Sequence, residues 1–78
     1  MEHECLIIDY AILGETACHI KVLVYDAESG LQSEGEVRFL NGLIYGDFLH
    51  PSRSLLSPEC RENTRSYLTA KYKAGGFS

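Results

Sequence analysis

Asn41-Gly42 stands between two apolar runs, residues 37–40 and 43–45. A two-residue hairpin turn of type I′ needs positive φ at both central positions, and Asn followed by Gly meets that demand at least cost. The dipeptide predicts two antiparallel strands, about 32–40 and 43–48, with Phe39 facing Ile44 across the turn. Pro51 closes the second of them, because proline cannot donate to a ladder.

The preceding residues are of the same kind. Segments 5–12 and 18–25 are rich in β-branched and aromatic residues and are joined by Leu13-Gly14-Glu15-Thr16-Ala17. This reads as a second hairpin. Asp26-Ala27-Glu28-Ser29-Gly30 is a turn cluster leading to the third strand. Setting Leu6 opposite Val24, Ile8 opposite Val22 and Tyr10 opposite Ile20 makes one face uniformly apolar. A tight second connection would set glutamates against that face. A six-residue loop, or a bulge near Gly35, instead sets Ile20 against Val37 and Cys18 against Phe39.

Ser57-Pro58-Glu59 is a helix start: a capping hydroxyl, a proline at the first helical position, and an acid at the positive end of the dipole. The helix runs over about 58–73, and Gly75-Gly76 stops it. Its apolar stripe is Cys60, Thr64, Tyr67, Leu68 and Tyr72. Phe77 and Ser78 are expected to fray. The expected fold is α+β, one domain over residues 1–78: a four-stranded antiparallel meander, one C-terminal helix and a tail at 74–78. A small β-barrel plugged by the helix is the alternative. The expected buried set is Leu6, Ile8, Tyr10, Ile12, Ile20, Val22, Val24, Val37, Phe39, Ile44 and Leu68.

One helix covers one face of a sheet. The other face would carry Ile7, Leu23, Tyr25, Leu40, Leu43 and Tyr45 among charged residues. A chain of 78 residues is small, and such a domain buries only about 60% of the surface its unfolded chain exposes. Its three cysteines cannot all pair within one copy. These six apolar residues are therefore the expected interface of a homodimer.

Charge adds a second expectation. Residues 1–50 hold nine acids against two bases, and residues 51–78 two acids against five bases. The acidic sheet suits a basic protein partner. Arg61, Arg65, Lys71 and Lys73 on the helix are the alternative, a nucleic-acid contact, which the net charge of -4 opposes. The apolar fraction of 45% and charged fraction of 23% exclude collagen-like and disordered classes. No apolar stretch approaches the roughly 18 residues of a membrane span. Glu2, Glu4 and Asp9 interrupt what would otherwise resemble a secretory signal. The expected location is the cytoplasm, where thiols stay reduced.

Chemistry is sparse. His3-x-Cys5 and Cys18-His19 draw attention as ligands, but neighbours on a strand point to opposite faces. Cys5 and Cys18 fall at opposite ends of the first hairpin, about 20 Å apart. Zinc-type spacings are absent, so neither metal nor cofactor is expected. Cys60 near a helix start and His50 ten residues earlier are the one conceivable nucleophile–base pair. Neither an orienting third residue nor an oxyanion site accompanies them. The chain reads as non-enzymatic.

Overall fold

The structure, a computed structural model, describes residues 2–77. Strands β1 (Glu4–Ile12), β2 (Ala17–Asp26), β3 (Leu31–Leu40) and β4 (Leu43–Tyr45) form one antiparallel sheet in chain order. A 3-10 turn, Asp47–Leu49, and helix α1 (Pro58–Lys73) follow. The sheet is open, so the meander holds and the barrel does not. Asn41 and Gly42 adopt φ of 53° and 82°, the pair of positive values a type I′ turn requires.

β2 and β3 pair as the hydrophobic pattern dictates, Ile20 with Val37 and Cys18 with Phe39. Phe39 meets Ile44 across the Asn-Gly turn. The core lies between this face and α1. Ile20, Val22, Val24, Val37 and Phe39 are buried from the sheet, and Cys60, Thr64 and Leu68 from the helix. Tyr72 stacks on Phe39 with ring centroids 4.3 Å apart. The helix begins as expected: Ser57 Oγ accepts from the Cys60 N–H, and Lys71 and Lys73 lie in the last turn.

Four expectations need correction. First, β1 carries a bulge between Ile7 and Asp9. Beyond it Tyr10 faces Ile20 and Ile12 faces Cys18, as the apolar pattern demands; before it the register shifts by one, pairing Cys5 with Val24 and Ile7 with Val22. Ile7 therefore packs on the core side, and Leu6 turns to the open face. Alternation cannot reveal a bulge inside the apolar run Leu6-Ile7-Ile8, where either register buries an aliphatic side chain.

Second, β1 lies at the sheet edge, where only Cys5 and Ile7 pack against the core. Leu6, Ile8, Tyr10 and Ile12, expected inside, are 62%, 47%, 45% and 54% exposed. Ile44 is half-buried, while Leu49 and Leu56 from the connection to α1 complete the core.

Third, β4 ends at Tyr45, three residues early. Gly46 leaves the sheet at φ 145°, where a Cβ would come within 3.0 Å of the Glu36 carbonyl oxygen. Phe48 then folds over Gly35, its ring filling the space a side chain there would occupy. Gly35 is no bulge; it pairs with Val22 in an unbroken β2–β3 ladder.

Fourth, the tail does not fray at Phe77. The Gly76 N–H reaches back to the Lys71 carbonyl at 2.8 Å. Phe77 is buried, edge-on to Tyr10 at 5.4 Å. Tyr67, expected in the apolar stripe, is exposed.

Candidate functional site

Asp26 closes β2 and is 1% exposed. Its Oδ1 accepts from the Glu28 N–H at 3.0 Å and the Ser29 N–H at 3.4 Å, organising the turn to β3. The Ser57 N–H donates to Oδ2 at 2.7 Å and the Ser57 hydroxyl to Oδ1 at 2.9 Å. One carboxylate thus ties the β2–β3 turn to the start of α1. Burial pushes its pKa up, but the hydrogen bonds from Ser57, Glu28 and Ser29 outweigh burial and hold it below the ordinary value.

His3 joins from the N-terminal arm. Its Nδ1 accepts from the Ala27 N–H at 3.0 Å and lies 3.6 Å from Asp26 Oδ1. An accepting Nδ1 leaves the proton on Nε2. Cys60, in the first turn of α1, is fully buried. A donor atom from each of His3, Asp26 and Cys60 lies within 4.8 Å of the others.

Cys5, on β1, is half-buried against the core and lines a cleft with His3. Burial first, then the neighbouring Cys60, pushes its thiol up to about 11. Burial and the Asp26 charge raise the Cys60 thiol as well. Thr64 sits one turn further along the helix. Its hydroxyl is buried without a nitrogen or oxygen partner, and what it faces is the Cys60 sulfur, whose thiolate it favours. A polar cleft lined by Glu2, His3, Glu28, Glu59 and Asn63 opens beside this group.

Of this constellation, sequence reasoning singled out the pair His3-x-Cys5 and, separately, Cys60, and took Asp26 as a turn residue and one of several acids able to pair with a histidine. No spacing could reveal it, because the members come from three separate segments, the start of β1, the end of β2 and the first turn of α1. Cys60 and His50, paired on paper, differ in setting: Cys60 is inaccessible, whereas His50 is exposed and holds the Ser52 N–H at 3.1 Å. A thiol so buried and kept protonated is a poor nucleophile.

The open face carries Leu23, Tyr25, Leu40, Leu43 and Tyr45 as expected, with Leu6 taking the place of Ile7. These residues do not form one patch. Leu6, Leu23 and Tyr25 lie at one end, and Leu40, Leu43 and Tyr45 at the other. Between them Lys21 pairs with Glu34 at 3.0 Å and His19 with Glu36 at 3.4 Å. On α1, Arg65 donates to the Leu49 carbonyl at 3.1 Å, and Arg61 reaches the Pro51 carbonyl at 3.5 Å. Both arginines brace the connection beneath them.

The remaining feature is β1 itself. It is an edge strand of nine residues. Leu6, Ile8, Tyr10 and Ile12 line it, followed by Leu13 at 61% exposed. Comparison with protein-family models, curated proteins and solved structures finds no match for the chain. No helix among the described residues is long and apolar enough to cross a membrane.

Proposed function

We propose that the protein is a non-enzymatic interaction module that self-associates through the β1 edge of its sheet. The observation that carries this reading is the run of exposed apolar side chains along β1. Exposed apolar edges are templates for pairing with another strand, and natural proteins otherwise blunt them with lysine, proline or a bulge. β1 has neither lysine nor proline, and its one bulge lies between Ile7 and Asp9, before the segment that carries Tyr10 and Ile12. The open face is a poorer interface than its composition promised. Stacking it against a copy would bury the Lys21–Glu34 and His19–Glu36 pairs, whose desolvation offsets the apolar gain.

The bulge at Ile8 breaks the ladder and confines regular pairing to the segment beyond it. Antiparallel pairing there, centred on Ala11, sets Tyr10 of one copy beside Ile12 of the other on the helix side. It extends the core from Phe77 and Tyr72 across the twofold. A standard interface hides about 800 Å² per partner, roughly a sixth of the 5034 Å² surface.

A second reading, capture of a basic protein segment on the same edge, is favoured by charge. Glu2, Glu4, Asp9 and Glu15 flank β1, and residues 1–21 contain a single base, Lys21. Salt separates the two. Pairing of like-charged copies tightens as salt rises, whereas a basic partner is released. Hydrogen exchange at residues 9–13, followed against protein concentration and salt, tests the proposal. Protection that grows with both supports self-association; exchange independent of concentration contradicts it. Three unpaired cysteines suit the reducing cytoplasm as its place of action.

A further inference from the structure

We propose that His3, Cys5, Asp26 and Cys60 form a site for a zinc-class divalent metal ion, enclosed between β1, the end of β2 and the first turn of α1. Three observations converge. The first is the donor set. One imidazole, one carboxylate and a thiol present atoms within 4.8 Å of one another, and Cys5, two residues from His3, lines a shared cleft with it. Mixed nitrogen, sulfur and oxygen ligation suits tetrahedral zinc. Bond lengths of about 2.0–2.3 Å put tetrahedral donors about 3.3–3.8 Å apart, so side-chain rotation must close the group of His3, Asp26 and Cys60 by about an ångström and bring the Cys5 sulfur in from outside it.

The second is the tautomer. His3 Nδ1 carries no proton, since it accepts from the Ala27 N–H. A neutral imidazole with an inward lone pair is the ligating form. The ion would take that lone pair in place of the Ala27 N–H, and Nε2 would keep its proton. The third is the Thr64 hydroxyl, fully buried and without a conventional partner. A neutral thiol gives it little to bond. A metal-bound Cys60 thiolate would accept a full hydrogen bond from it, as outer-shell donors commonly provide. Glu2, Glu28 and Glu59 line the adjoining cleft and supply an anionic approach.

Binding forms two metal–sulfur bonds, one metal–nitrogen bond and one metal–oxygen bond. The two thiol protons pass to solvent, so affinity rises with pH. The cation also links the N-terminal arm, the sheet and the helix in a small chain that has no disulfide among its cysteines.

Titration of the reduced, chelator-treated full-length protein with Co²⁺ tests the site. One equivalent should produce a thiolate-to-cobalt charge-transfer band with tetrahedral visible bands, and Zn²⁺ should abolish both. Cys5→Ser and His3→Ala, at the accessible rim, should each weaken binding by about tenfold or more, and Cys5→Ser should also weaken the charge-transfer band. Cys18→Ser should leave the spectrum unchanged. Should a rim variant fail to fold, the wild-type stoichiometry and the Cys18→Ser spectrum still decide. Absence of the band at one equivalent overturns the proposal. So does a band that survives Cys5→Ser and His3→Ala intact, or one lost in Cys18→Ser.

Discussion

Asp26 gathers four donors from the β2–β3 turn and from Ser57. Hydrogen bonds to a charged group contribute about 1.5–3 kcal/mol each when they replace water well, and they do not add simply. Asp26→Ala should therefore cost about 3 kcal/mol or more, read as a fall in the urea midpoint. The sign of its pH dependence follows from its lowered pKa. Folding favours the ionised form, so the contribution is complete above the unfolded value near 3.8 and fades as pH falls through the lower folded value. Asp26→Asn should flatten the acid limb of the stability profile; an unchanged limb would remove Asp26 as the hub. Thr64 makes the opposite case. Its orphaned hydroxyl costs stability in the metal-free chain. Thr64→Val should raise the metal-free melting temperature, by the equivalent of about 1 kcal/mol. A lower melting temperature would show that the hydroxyl is satisfied.

At the scale of elements, the sheet's order and the helix were legible because each rests on local chemistry. Asn41-Gly42 specified one hairpin, Ser57-Pro58 the helix start, and the apolar alternation of β2 against β3 left one tolerable register. Two devices were illegible. The β1 bulge hides in an apolar run, and the exit from β4 depends on Gly46 and on Phe48 crossing to Gly35, a contact between residues thirteen apart. Both can be checked. Ile7→Ala removes a side chain packed on the core and Leu6→Ala one that is 62% exposed. The first should cost about 2 kcal/mol or more and the second under about 1 kcal/mol. Equal costs would refute the bulged register. Gly35→Ala should displace the Phe48 ring and cost about 1–3 kcal/mol in chemical denaturation. A neutral result would mean that Phe48 lies elsewhere. The metal-type cluster was illegible for a different reason: its ligands meet only through tertiary structure.

At the scale of the whole molecule, one helix on a four-stranded sheet leaves most of the β1 edge about half exposed. The sequence pattern pointed to the open face as the sticky surface. The structure moves the exposed apolar run to β1, because the core covers only its Cys5 and Ile7 side chains and leaves Leu6, Ile8, Tyr10 and Ile12 about half exposed. The claim on which the functional reading depends is that this edge pairs with a second copy. Sedimentation equilibrium over a wide concentration range measures it most directly. The wild-type chain should show the mass of a dimer, and Ile12→Lys, which places a charge at a position of the edge that is 54% exposed, should sediment as a folded monomer. A wild-type protein that remains monomeric at the highest concentrations, or an Ile12→Lys variant that dimerises as tightly as the wild type, would contradict it.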